Sequence, residues 1–405
     1  MRSVEEHREA VLALVTPLPA TAVPVRAALG RVLAEDAVAA VDLPGFDNSA
    51  MDGYAVRAAD LATATEVAPV TLAVDGDIAA GDIRRHVLEP GRALRIMTGA
   101  PLPDGCDAVV PVEATDGGAT RVGVRLAPEV GRHVRRQGED VRAGQTVLRA
   151  GTLVGPGHVA LLAAANIAEV PVHRRPRVAV VSTGDELVPV GSRLEHGQIV
   201  DSNNAMLGAL VEAADGEVVA AVHLPDDADA VRAFLTAPEG DPDLVITSGG
   251  VSMGVYDTVK EVLSEVGGVE FVKVAMRPGM PQGCGAVPGA AAVVTLPGNP
   301  VSSFASFHVF VLPALRRLAG RDAGDDGGFD AVAGEDWSTV REKLELTRVV
   351  EDGGVVRRSG GQGSHMVGAL GLATALALVP VGVEHVRAGD TVRCVPLLGQ
   401  DRHRG

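Results

Sequence analysis

Three glycine-rich loops fall between residues 247 and 303: Thr247-Ser-Gly-Gly-Val-Ser-Met-Gly-Val-Tyr-Asp257, Arg277-Pro-Gly-Met-Pro281 and Leu296-Pro-Gly-Asn-Pro-Val-Ser-Ser303. The first and third follow apolar runs that read as buried strands, 243–247 and 291–296, and both open into helical patterns. Strand, glycine turn and helix start together point backbone N–H groups at an anion, and glycine lets the chain approach it closely. With Asp257 and Lys273 beside them, the loops read as a binding site for a phosphate-bearing ligand. Asp257 has two readings at this point. It holds a divalent cation such as Mg2+, which takes one or two protein carboxylates along with phosphate oxygens and water, or it caps the next helix.

Other acids sit at strand ends. Thr183-Gly-Asp-Glu-Leu187 follows a buried run, and Pro225-Asp-Asp227 follows the next. Asp226 and Asp227 suit helix capping, and equally suit a metal–phosphate site on neighbouring strands. Two further loops are dense in polar groups, Asp47-Asn-Ser-Ala-Met-Asp-Gly-Tyr-Ala55 and Arg95-Ile-Met-Thr-Gly-Ala-Pro-Leu-Pro103, although each also reads as an ordinary turn. Gly363-Ser-His365 is a weaker candidate of the same kind.

The elements that must position these loops follow from periodicity. Residues 3–16 open with Ser3 and Glu6 at capping-box spacing, and Val4, Val11, Leu14 and Val15 mark one helical face. From 46 to 145, short Val/Leu/Ile runs are cut by Gly, Pro and Asp, the texture of a small β-rich domain. Residues 156–165 read as a helix. From 177 to 320, strands at 177–182, 218–224, 243–247, 271–274 and 291–296 alternate with helical patterns near 203–214, 227–236, 256–266 and 301–318. That alternation predicts a mostly parallel sheet covered by helices, with ligands beyond the carboxyl ends of its strands. The loops at 183–187, 247–257 and 297–303 all follow strands and are expected to share that edge. Arg321-Asp-Ala-Gly-Asp-Asp-Gly-Gly328 reads as a linker, and the short β runs of 340–400 as a small β-barrel or sandwich.

Composition narrows the class. A chain of 405 residues exceeds one ordinary core, so two to four domains are expected. A net charge of −16 argues against general nucleic-acid binding, and no polybasic run marks a membrane surface. Lysine occurs only at 260, 273 and 343, so a lysine beside a loop is informative. Cys106, Cys284 and Cys394 make no C-x-x-C and read as free thiols. The start lacks an apolar signal region, and the apolar stretches are too short to span a bilayer, which predicts a cytoplasmic protein.

Taken together, the chain resembles the molybdopterin molybdenumtransferase family, the MoeA-like group that includes the E domain of gephyrin. The segments carrying the resemblance run in the family's order: Asn48-Ser-Ala-Met-Asp-Gly-Tyr-Ala55, Arg95-Ile-Met-Thr-Gly-Ala100, Ser182-Thr-Gly-Asp-Glu-Leu187, Asp201-Ser-Asn203, Ser248-Gly-Gly-Val-Ser252, Leu296-Pro-Gly-Asn-Pro-Val-Ser302 and Gln362-Gly-Ser-His365. The resemblance implies a multidomain α/β chain. Its parts would be an N-terminal helical/linker domain (1–45 plus 146–175), a β-rich domain (46–145), a mostly parallel α/β domain (176–322) and a C-terminal small β-barrel (323–405). It implies that molybdate and adenylylated molybdopterin are substrates, that Mg2+ assists, and that AMP leaves as molybdenum joins the dithiolene sulfurs. It implies a homodimer with a shared active site, served by a molybdopterin adenylyltransferase and serving molybdoenzyme apo-proteins or their chaperones.

The implied roles fall on matching residues. Asp257, Glu186 and Asp226 or Asp227 would hold Mg2+ or position the attacking water. Asp52 and Thr98 would close the site across the dimer. Gly249, Gly250, Ser252 and Ser302 would cradle phosphate. Lys273 and Arg277 would bind phosphate or molybdate oxygens, Pro281 would also contact substrate, and Arg348 and Ser364 would reach in from the terminal domain. Two departures stand out. The family usually reads Lys-Pro-Gly-Lys-Pro where this chain has Arg277-Pro-Gly-Met-Pro281, and Asp or Glu is usual at Val255. Losing one charge-assisted bond at Met280 corresponds to roughly 10- to 100-fold weaker oxyanion binding. The same departures leave room for a binding or scaffold protein with weak turnover, and tungstate is an alternative oxyanion. An adenylyltransferase is disfavoured, because the chain carries domains that such enzymes lack.

Overall fold

The computed structural model describes residues 1–250 and 257–399, and Ser252 and Val255 lie outside them. The chain divides into two compact units, Ala22–Val172 and Met1–Thr21 with His173–Gly405.

The unit Ala22–Val172 is β-rich, as its interrupted apolar runs predict. A five-stranded sheet takes the order Ala108–Pro111, Gly53–Val56, Arg92–Ile96, Val70–Ile78, Arg121–Val124. Gly53 has to be glycine, because a Cβ there would stand 2.0 Å from the Val110 carbonyl oxygen of the adjacent strand. Tyr54 is buried and donates its hydroxyl to Gly118 O at 3.0 Å. The expected helix is present at Pro156–Ala164, with proline at its first turn.

The other unit begins with α1 (Val4–Ala13), closed at its start by the predicted Ser3/Glu6 capping box. The first residues thus join the α/β part of the chain and not residues 22–45, because Val4, Val11 and Val15 bury themselves in its core. The sheet is built from β1 (Arg177–Thr183), β2 (Glu217–Leu224), β3 (Leu244–Ser248), β4 (Val269–Lys273), β6 (Pro281–Ala286) and β7 (Ala292–Leu296), with a two-residue strand β5 (Met276–Arg277) set apart from it. The helices are α2 (Ser202–Ala213), α3 (Ala228–Thr236), α4 (Thr258–Val266), α5 (Pro300–Ser306) and α6 (Leu312–Leu318). The strand order is β2-β1-β3-β7-β6-β4, parallel from β2 through β7. β6 runs antiparallel between β7 and β4.

Both sheet faces are covered, so the central strands are apolar almost throughout. Val178, Val180, Leu244, Ile246 and Val294 face one core with α1, α2 and α5. Ala179, Val181, Val245 and Val293 face the other with α3 and α4. The helix expected over 301–318 widens to a π turn at Phe307–Val311 between α5 and α6, just before Pro313, which has no N–H to donate.

The terminal β runs close into a five-stranded barrel of β8 (Phe329–Ala333), β9 (Leu344–Asp352), β10 (Val355–Arg358), β11 (Ala375–Val379) and β12 (Thr391–Pro396), in the order β9-β10-β8-β12-β11 and back to β9. β5 pairs in parallel with the start of β9, Met276 with Leu344 and Arg277 with Glu345. The three cysteines are free, and burial pushes Cys106 and Cys284 up to about 11 and Cys394 to about 12. Among the described residues no helix is long and apolar enough to cross a membrane.

Candidate functional site

The loops after β1, β3 and β7 meet at the carboxyl edge of the sheet. They line a cleft of about 500 Å³ with Thr183, Gly184, Glu186, Asn203, Asp226, Ser248, Gly249, Gly250, Asp257, Pro281, Gly298, Asn299 and Ser302. Backbone approach sets its shape. Gly249 has φ +98°, and a Cβ would lie 2.9 Å from Thr183 O; Gly250 has φ +65°, and a Cβ would lie 2.8 Å from Val259 Cβ. No residue with a side chain fits either place without displacing the neighbouring loop or α4.

Hydrogen bonds hold the loops together. The Asp185 and Asp226 carboxylates each accept the other's backbone N–H, at 3.1 and 3.3 Å, tying the β1 loop to the end of β2. Asn203 donates its amide to Ser248 Oγ and Gly298 O, both at 2.7 Å. Ser303 Oγ donates to Pro297 O and lies 3.3 Å from Ser248 Oγ. This buried polar layer fixes the floor of the cleft. Asn203 joins the loops after β3 and β7, and the Asp201-Ser-Asn203 segment is the sequence signal for it.

The neighbouring aspartates separate by direction. Asp226 lines the cleft, whereas Asp227 caps α3, accepting Ala230 N–H at 2.8 Å, the capping role that the sequence also offered. Asp257 stands at the start of α4 and lines the cleft without a side-chain capping bond to that helix. Gly249 N–H is committed to Leu296 O at 3.3 Å, so its contribution is close backbone approach in place of a cradling amide.

A second cleft of about 360 Å³ adjoins the first, and Ser302 lines both. Its walls include Arg277, Gly279, Glu345, Gln362, Ser364 and His365, so β5 and the barrel build it together. Ser364 O accepts Val301 N–H at 3.1 Å, which joins the 359–366 loop to the start of α5. Arg348 is 1% exposed and is not among the lining residues. Its guanidinium donates to Met366 O at 2.8 Å and to Gly361 O and Gly363 O at 2.7 and 3.2 Å. It supports that loop from beneath. Burial, without an acidic partner, pulls its pKa down.

Lys273 is exposed at the end of β4, opposite Pro281, and lines neither cleft. Met280, between β5 and β6, is met by Lys343, whose Nζ lies 3.7 Å from Met280 Sδ. A cation therefore reaches this loop from the turn before β9. In the other unit, Asp52 Oδ1 accepts from Thr98 N at 2.6 Å and Thr98 Oγ1 at 2.8 Å. Those two bonds hold the Asp52 carboxyl below the usual range, the backbone one foremost.

The donor set of the first cleft fits a hard cation: Glu186, Asp226 and Asp257 offer carboxylate oxygens and no thiol lines it. Among the described residues no three such side chains form a preformed cation cage.

Comparison with known proteins matches this architecture in three segments. Residues 2–166 match the MoeA N-terminal region (domain I and II), 179–317 a probable molybdopterin binding domain, and 330–397 the MoeA C-terminal region (domain IV). Molybdopterin molybdenumtransferase 2 of Mycobacterium tuberculosis is 47% identical over 97% of this chain and 99% of its own. Molybdopterin molybdenumtransferase of Haemophilus influenzae is 39% identical over 91% and 92%. A crystal structure of the molybdopterin biosynthesis MoeA protein from Pyrococcus horikoshii superposes with a TM-score of 0.83 at 31% identity, covering 98% of this chain and all of that one.

Proposed function

The chain belongs to the molybdopterin molybdenumtransferase family, transferases of molybdenum cofactor biosynthesis, and from that premise we propose that it cleaves adenylylated molybdopterin, releases AMP and places molybdenum from molybdate on the dithiolene. The observation that carries the proposal is the convergence of three strand-end loops on one acidic cleft that shares Ser302 with a second, polar one walled by Arg277 and Glu345. The first cleft receives the phosphoanhydride. Gly250 lets the substrate approach the backbone, and Ser302 contributes from the start of α5. Glu186 and Asp226 orient the attacking water and accept its proton. Mg2+, held by Asp257 with Glu186 or Asp226, would neutralise charge developing on the phosphates. The second cleft receives the oxyanion, with Arg277 and the Ser364 loop as its walls and Arg348 positioning that loop. In this reading the protein is a homodimer, and Asp52 and Thr98 of the partner subunit close the site.

The experiment incubates purified protein with adenylylated molybdopterin, Mg2+ and molybdate and follows AMP. Multiple turnovers are expected. Tight ligand retention with no AMP release would replace this reading with a cofactor-binding protein of the same fold.

Lys343 bears on the departure at Met280. Lys343→Ala is expected to raise the molybdate dissociation constant about tenfold, the worth of one charged contact. Adding Met280→Lys to that variant is expected to restore it. Calorimetric titration of both variants is the check, and an unchanged constant in Lys343→Ala removes the compensating role.

A further inference from the structure

The second cleft holds an acid that no part of the proposed reaction uses. Glu345 is 7% exposed and lines the cleft beside Arg277, its register partner across β5 and β9. Its Oε2 is buried and, among the described residues, accepts no hydrogen bond. Arg277 Nη1 stands 3.6 Å from it, close enough for attraction and too far for a hydrogen bond. An ionised carboxylate so placed repels the dianion that the other walls invite. A neutral carboxyl has the opposite effect, because it offers an O–H donor to an anion's oxygen.

Resting on the reading that this cleft takes the oxyanion, we propose that Glu345 shares a proton with bound molybdate and thereby selects it over sulfate. Both ligands are tetrahedral dianions, so charge and symmetry separate them poorly. Basicity separates them better: molybdate is the stronger base, and a shared proton rewards the more basic acceptor. The proton starts on the carboxyl, stays between the two oxygens, and no covalent bond to the metal is made or broken.

The groups around the carboxyl fit this role. Burial pushes the acid up from its usual value, against the pull of Arg277 from β5, a backbone hydrogen bond near Val340 and Lys343 from the turn before β9. Val379 is its register partner on β11 and is apolar. From the loop opposite come the Ser364 hydroxyl and His365, and from α5 the Ser302 hydroxyl. An approaching dianion favours the protonated form further.

The test is calorimetric titration of the full chain with sodium molybdate and with sodium sulfate. It runs from mildly acidic to mildly alkaline pH in two buffers of different ionisation enthalpy. Wild-type protein is expected to take up a proton with molybdate at the alkaline end, where affinity falls by up to about tenfold per pH unit. Glu345→Gln keeps an N–H donor in place but cannot exchange a proton. It is expected to lose the proton uptake, flatten the pH profile and narrow the molybdate-to-sulfate ratio about tenfold. Proton uptake and selectivity that survive in Glu345→Gln overturn the proposal alone. No molybdate binding by the wild type at any pH overturns the reading of the cleft along with it.

Discussion

Asp257→Asn is expected to slow AMP release from adenylylated molybdopterin by about 100-fold or more, close to 3 kcal/mol of lost transition-state stabilisation. The side chain keeps its size and its place at the start of α4, in the cleft with Glu186 and Asp226. What it loses is the negative charge that favours a hard cation. The rate should therefore cease to saturate with Mg2+ over the range that saturates wild type. Thermal unfolding measured alongside separates a lost metal ligand from a lost fold. Wild-type turnover in this variant would remove Asp257 from the metal site.

The second large effect is on stability and comes from two buried histidines. His7 on α1 is fully buried against Phe310, ring centroids 4.7 Å apart and edge to face. His308 lies in the π turn, with Nδ1 donating to Phe304 O at 2.9 Å. Burial foremost lowers both to about 4, helped by the positive charge of Arg2 at His7 and of Arg316 at His308. In the unfolded chain each titrates near 6.5. Below that pH the unfolded state takes up protons that the folded state refuses, so stability is complete above about 6.5 and falls as pH drops toward 4. The loss is on the order of 3 kcal/mol per histidine. Urea titrations at neutral pH and near the lower limit are the measurement, with His7→Leu and His308→Leu each expected to remove part of the pH slope. An unchanged slope in both variants would mean that the histidines do not report acid unfolding.

The parallel core was legible because strands buried on both faces must be apolar almost throughout, as in Leu244–Ser248 and Ala292–Leu296. The capping box of α1 was legible because it is local. β6 was not, since Pro281-Gln-Gly-Cys-Gly-Ala286 carries a proline, two glycines and no β-branched residue. Its glycines answer to neighbours far along the chain: a Cβ at Gly285 would lie 1.9 Å from Gly268 O, and one at Gly283 would lie 2.5 Å from Thr295 Oγ1. The site shows the same division. Glycine loops after strands announced a phosphate cleft. Which of two adjacent aspartates faces it was decided by the entry of α3, with Asp227 taken up as its cap. Arg348 has the type of an anion ligand, yet both its Nη atoms donate to loop carbonyls, of Met366, Gly361 and Gly363. Glu345 and Lys343 acquire meaning only when the barrel comes up beside β5, which no local pattern encodes.

The short ladder between β5 and β9 makes the barrel poorly portable. Met276 and Arg277 bond to Leu344 and Glu345 through the backbone, extended by Leu344 N–H to Ala275 O at 2.9 Å. Cutting the chain in the segment 319–328 to free the α/β part would leave that edge bare and take one wall of the second cleft away. Exchanging the barrel with that of a relative would have to carry residues 275–281 along, or the donor's acid and the host's arginine would no longer face each other in register.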